Sequence, residues 1–203
     1  MIALTSTPYY QKKKLCEPIY NLEWATIQGT SNVSDYPAYG LYNFSHTMFI
    51  IKKSELLSAK QITGLQIHMA GYSTGYTFNN QIIKLAHITD SQFGTNVQVL
   101  NTNGDVSGIL GMKDLKTVKS FNWTVTSGFN NLIFDKNFCY NGSDNLLIIW
   151  INKDGSWQSG YGWAECHSTS AQFLSWYKQN DASYPTGFGT RNSSTRPNIK
   201  LNY

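Results

Sequence analysis

The strongest constraint in the sequence is a run of six apolar residues, Leu146-Leu147-Ile148-Ile149-Trp150-Ile151, bounded on both sides by turn formers. Asn141-Gly142-Ser143-Asp144 precede it and Asn152-Lys153-Asp154-Gly155 follow it. Six residues are too few for a buried helix, and their β-branched and aromatic character suits a strand. Leu146, Ile148 and Trp150 then face one side, and Leu147, Ile149 and Ile151 the other. A strand that is apolar on both faces lies in the middle of a sheet, with a cover on each face. In a two-layer sandwich the opposite sheet is one cover. The other must be a loop, an arm or a neighbouring subunit.

The rest of the chain reads as short strands separated by turns. The segment 61–70 alternates, with Ile62, Leu65, Ile67 and Met69 apolar and Gln66 and His68 polar. Strands are also predicted near 24–29, 41–51, 81–89, 172–177 and 198–203, and one helical turn at 54–57. Asn101-Thr102-Asn103-Gly104-Asp105 is a strong turn signal. Helix competes only over 112–121, where Leu115 and Val118 interleave with lysines. The segment 181–197, with Pro185, Gly187, Gly189 and Pro197, reads as a loop. Residues 1–23 contain Pro8 and Pro18 and no periodic face, so they are expected to form an extended N-terminal arm. We therefore predict an all-β protein, an antiparallel two-sheet β-sandwich of jelly-roll-like form over 24–203. A chain of 203 residues suffices for one such domain.

Charge and cysteine content narrow the function. Charged residues make up 14% of the chain against a usual quarter, and the formal net charge is +4. Lys12-Lys13-Lys14 is the one basic cluster, with no wider stripe for nucleic acid, so no nucleic-acid partner is expected. No run reaches the length of a membrane-spanning helix, so no membrane insertion is expected either. The first twenty residues carry Pro8, two tyrosines and three lysines too early for a secretory apolar core. The expectation is a chain that does not leave by a signal peptide and, if Met1 is its start, is made soluble in a cytoplasm. Cys16, Cys139 and Cys166 cannot all pair within one chain, and no CxxC is present. Cys139, between Phe138 and Tyr140, reads as a small buried apolar residue.

No catalytic pattern stands out. There is no Gly-x-Ser-x-Gly elbow, His-Glu-x-x-His motif or phosphate loop. His46, His68, His87 and His167 are scattered, and no two of the twelve carboxylates are marked as a pair. Asn141, Asp144 and Asp154 could ligate Ca²⁺, but turn formation accounts for them more simply. The expectation is a protein that is not an enzyme, with no metal and no cofactor. The candidate binding residues are aromatic: Trp157, Tyr161 and Trp163 lie in a glycine-flanked loop, where exposed rings stack on sugars. Their alternative role is to plug the ends of the sandwich. Tyr9, Tyr10, Leu15 and Tyr20 are the candidate interface anchors of the arm, laid across a neighbouring subunit or another protein.

Several short motifs also carry a resemblance. Thr26-Ile27-Gln28-Gly29-Thr30, Asp35-Tyr36-Pro37, Tyr42-Asn43-Phe44-Ser45-His46-Thr47 and Lys53-Ser54-Glu55-Leu56 resemble the opening of a repeated β-sandwich module. Ile62-Thr63-Gly64-Leu65-Gln66-Ile67, His87 to Phe93, Phe134 to Gly142 with Asn145 to Ile148, and Arg196-Pro197-Asn198-Ile199 follow in the module's order. That module occurs in secreted and surface proteins of Bacteroidetes, beside cleaved-adhesin and jelly-roll domains. The resemblance implies a structural sandwich rather than a catalyst. A lone copy with an arm and no export signal suits a bacteriophage virion. The expected function is thus a virion structural protein, a capsid or tail decoration or fibre component, partnered by its own copies or by other virion proteins. The alternative is a carbohydrate-binding or adhesin-like module outside the cell or on its surface.

Overall fold

The computed structural model describes residues 24–27, 32–34, 36–38, 40–70, 75–157 and 163–203. The first strands are β1 (Trp24–Ile27), β2 (Asn32–Ser34), β3 (Phe44–Ile51), β4 (Lys60–Met69) and β5 (Thr77–Ile88). Next come β6 (Gln98–Val99), β7 (Val106–Ser107), β8 (Lys113–Thr124), β9 (Gly128–Tyr140) and β10 (Asn145–Asn152). The last are β11 (Ala164–Ser168), β12 (Ser175–Asn180), β13 (Gly187–Phe188), β14 (Thr190–Asn192), β15 (Thr195–Pro197) and β16 (Ile199–Asn202). One 3-10 turn, Lys53–Glu55, is the helical segment among the described residues. The protein is all-β, an antiparallel sandwich, as its periodicity predicts.

The apolar run is β10, and it sits where its two apolar faces require. A six-stranded sheet runs β14-β12-β3-β10-β5-β8, with β10 paired to β3 on one side and β5 on the other. Leu146, Ile148 and Trp150 pack into the core shared with the seven-stranded sheet, which runs β1-β16-β4-β11-β15 with β2 on β11 and β9 on β4. The hairpin β8–β9 joins the two sheets at one edge: Lys116 Nζ donates to the Asn137 carbonyl at 2.7 Å, and Ser120 N to Asp135 Oδ2 at 3.2 Å.

Leu147, Ile149 and Ile151 face away from that core into a second one, with Phe93, Val97, Val99, Val106, Trp176 and Tyr184. The cover here is the chain's own loops, stiffened by a three-stranded sheet, β13-β6-β7. Backbone bonds hold it down, Phe93 N to Phe173 O at 2.8 Å and Thr89 N to Leu110 O at 3.0 Å. Of the three covers left open by the sequence, a loop, an arm or a neighbouring subunit, the chain's own loops close this face. Tyr9, Tyr10, Leu15 and Tyr20 lie outside the described residues.

Two local readings are also corrected. The segment 112–121 is strand, within β8, not helix. Pairing with β5 overrides the lysine spacing, and register shifts beside Lys84 and His87 erase the alternation that would have marked a strand. Cys139 is exposed and disulfide-bonded, not a buried apolar thiol, because β9 turns Phe138 and Tyr140 inward and Cys139 outward. Cys166 is buried and outside any disulfide, its Sγ donating to Ala164 O at 3.5 Å, and Cys16 lies outside the described residues.

Candidate ligand groove

The functional candidate lies at the Asn152 end of β10. Phe78 of β5 pairs with Trp123 of β8, and the next pair is Gln81 with Phe121. Asn79 and Asn80 thus oppose Asn122 alone, which is a β-bulge. Asn80 takes φ +53°, a left-handed conformation that asparagine tolerates better than most residues. Its N–H donates to Asn122 Oδ1 at 3.0 Å. On the other side the turn after β10 is pinned down: Lys153 N donates to Asn80 O at 3.3 Å, and Gly155 N to Asn43 O at 2.9 Å. Asp154 Oδ1 accepts Asn79 N at 3.1 Å and Asn79 Nδ2 at 3.0 Å, while Oδ2 accepts the Tyr76 hydroxyl.

Between the bulge and the turn lies a groove of about 790 Å³, lined by Phe44, Asn80, Gln81, Ile82, Ser120, Phe121, Asn122 and Lys153. Phe44 and Ile82 supply the apolar surface, while Phe121, opposite Gln81, turns its ring to Trp150 on the inner face. Gln81 is fully engaged inward, accepting Trp150 Nε1 at 2.8 Å and donating to Asn79 O at 2.8 Å and Asn152 Oδ1 at 2.6 Å. It holds the floor. The side-chain amide of Asn80, Nδ2 of Asn122 and the Ser120 hydroxyl make no hydrogen bond among the described residues. Lys153 Nζ stands 5.3 Å over the Tyr184 ring.

A second groove, of about 490 Å³, lies at the other end of β10, between Lys52, Lys53, Ser143, Asp144 and Asn145. Its polar groups are mostly engaged. Lys52 Nζ donates to Gln172, Asp144 pairs with Lys113 at 2.7 Å, and Asn145 holds Lys53 N at 2.9 Å and Asp90 O at 2.8 Å. Asn141 Oδ1 is used by Ser143 N and Asp144 N, at 2.9 Å and 3.1 Å. These residues build a turn.

The histidines do not converge, and among the described residues no three His, Cys, Asp or Glu side chains gather to hold a metal. His68 pairs with Glu165 at 2.9 Å. His87 Nδ1 meets Asp114 at 3.2 Å. His46 is fully buried, with Nδ1 2.5 Å from the Tyr184 hydroxyl, and burial, then the nearby Lys84 charge, pushes its imidazole down to about 3. His167 belongs to a closed clamp. Arg196, 2% exposed, donates Nη1 to Ile50 O at 2.6 Å and to Glu55 Oε2 at 2.9 Å, Nη2 to Glu55 Oε1, and Nε to His167 Nε2 at 3.2 Å. An Nε2 that accepts from a guanidinium is unprotonated, so Nδ1–H donates to Asn198 Oδ1 at 3.0 Å. Burial, reinforced by the Arg196 charge, lowers the His167 pKa. Burial alone would raise the Glu55 carboxyl, but the guanidinium outweighs it and holds the pKa below its usual value. The clamp ties the 3-10 turn to β15 and leaves no donor for a ligand.

Of the aromatic candidates, Trp157 is 60% and Trp163 36% exposed, so neither plugs the sandwich. Trp157 ends the described turn after β10, and Trp163 precedes β11 of the other sheet, its carbonyl accepting Ala70 N at 2.7 Å. Tyr161 lies outside the described residues. Sequence reasoning missed Phe44, Asn80, Asn122 and Lys153. The available signal was Asn152-Lys153-Asp154-Gly155, read as a turn only. No family model matches the chain, and a search of curated proteins finds no significant match.

Proposed function

We propose that this chain is a non-catalytic recognition module whose groove takes a glycan. One observation carries the reading: the groove joins the apolar surfaces of Phe44 and Ile82 to the unengaged side-chain amide of Asn80, Nδ2 of Asn122 and the Ser120 hydroxyl. A sugar ring offers an apolar C–H face ringed by hydroxyls, and this is the surface that matches it. Trp157, exposed on the turn that carries Lys153, adds an aromatic face within the same loop. The setting we propose is a virion surface, as a decoration or fibre component built from several copies, with a bacterial surface adhesin as the alternative. That setting rests on the resemblance of the motifs.

A panel of immobilised oligosaccharides tests the reading. The wild type is expected to be retained by at least one glycan class, and Phe44→Ala and Asn122→Ala to weaken retention by about tenfold, the loss of one good contact. Absence of binding across the panel would defeat the reading. So would variants that bind like the wild type.

A further inference from the structure

Resting on that glycan reading, we infer that the groove selects an acidic sugar, a pyranose bearing a carboxylate, with Lys153 as its counter-charge. The eight lining residues include one cation and no carboxylate. Lys153 forms no ion pair among the described residues. Its ammonium lies 5.3 Å over the Tyr184 ring, which attracts the cation without neutralising it.

Two carboxylates border the lining residues, and both are committed elsewhere. Asp154 is held by Tyr76 and by Asn79, whose N and Nδ2 lie 3.1 Å and 3.0 Å away. Asp135 is held by Ser120 N at 3.2 Å and Lys119 Nζ at 3.4 Å. Neither is ion-paired with Lys153 among the described residues.

The hydrogen-bonding inventory points the same way. Asn122 Oδ1 is consumed by Asn80 N, so what Asn122 offers a ligand is the donor Nδ2. Lys153 Nζ offers only donors, and the Asn80 amide and Ser120 hydroxyl offer both donors and acceptors, so donors are in surplus. Neutral sugar hydroxyls both donate and accept, whereas a carboxylate only accepts and satisfies a surplus of donors. The backbone fixes these donors together. Lys153 N bonds Asn80 O at 3.3 Å, and Asn80 is the positive-φ residue of the bulge. A strained non-glycine residue at a bulge is a common device for re-aiming a side chain at a site.

The experiment is calorimetric titration of the whole chain with 3′-sialyllactose and trigalacturonate, against lactose and maltotriose as neutral counterparts. The acidic sugars are expected to bind about tenfold more tightly at low salt, the difference made by one charge-assisted hydrogen bond. The two acidic arms separate a sialate from a uronate. Added salt should close the gap, as should Lys153→Gln, while Lys153→Arg keeps it. If Lys153→Gln fails to fold, the salt dependence of the wild type decides the matter alone. Equal binding of neutral and acidic sugars overturns the inference and leaves the glycan reading intact. No binding of any sugar overturns both.

Discussion

The two faces of β10 are equally buried, but they are closed in different ways. Toward the other sheet, Leu146, Ile148 and Trp150 meet side chains from long strands such as Ile62, Leu65, Ile67 and Leu132. On the far side, Leu147, Ile149 and Ile151 are roofed by loops and by strands of two residues, through Phe93, Val97, Val99, Val106 and Tyr184. The inner face is held by shape. The roof is held in part by polar tethers: His46 Nδ1 lies 2.5 Å from the Tyr184 hydroxyl, and Lys84 Nζ donates to Asn103 O at 2.6 Å and lies 3.3 Å from Asp105. Past Ile82 and Ile151 the far face continues into the candidate groove. The contrast separates a face closed by interlocking side chains from one closed in part by buried polar groups.

The largest effect should come from the inner face. Trp150 is 1% exposed, bonds Gln81 through Nε1 and lies against Phe121 and Trp123 at centroid distances of 5.7 Å and 5.1 Å. Trp150→Ala should cost about 3–5 kcal/mol and leave Gln81 Oε1 without its donor. Urea unfolding measures it. A loss no greater than that of Ile149→Val on the roof side, about 0.5–1.5 kcal/mol, would break the comparison.

A smaller, graded effect should come from acid. His46, His87 and His167 have pKa values below the ordinary 6.5, burial being the first cause in each. As pH falls below that value, the unfolded chain takes up protons that the folded chain refuses, so stability is complete above about pH 6.5 and drains away beneath it. For His46, whose pKa falls to about 3, the loss continues through the whole acid range. Each such histidine contributes up to about 1.4 kcal/mol per pH unit. Between about pH 6 and 5, above the range where carboxylates titrate, histidines dominate the slope. Urea midpoints across that interval should fall in the wild type and fall less in His46→Gln, which can still bond Tyr184. Identical slopes would remove His46 from the account.

What was legible in the sequence follows from contiguity. β10 could be read because six neighbouring residues carry both faces, and β4 because Leu65, Ile67 and Met69 alternate without a break with Gln66 and His68. β8 was obscured because its register slips against β5, so apolar and polar residues do not alternate cleanly. The roof was invisible for another reason. Phe93, Val97, Val99 and Val106 are isolated apolar residues in a turn-rich segment, and nothing local says that they meet Leu147 and Ile149. The groove combines both difficulties. Phe44, Asn80, Asn122 and Lys153 come from four parts of the chain, and only the pairing of β3, β5, β8 and β10 gathers them. The exposure of Trp157 could be anticipated because an aromatic in a glycine-rich loop is marked locally.

The most direct measurement is an amide-resolved nuclear magnetic resonance titration of the whole chain with 3′-sialyllactose. Shifts should concentrate at the side-chain amides of Asn80 and Asn122 and at the backbone amides of Ile82, Ser120 and Lys153, saturating together. Unmoved resonances there at saturating sugar, or shifts confined to the far side of the seven-stranded sheet around His68 and Lys200, would contradict this expectation.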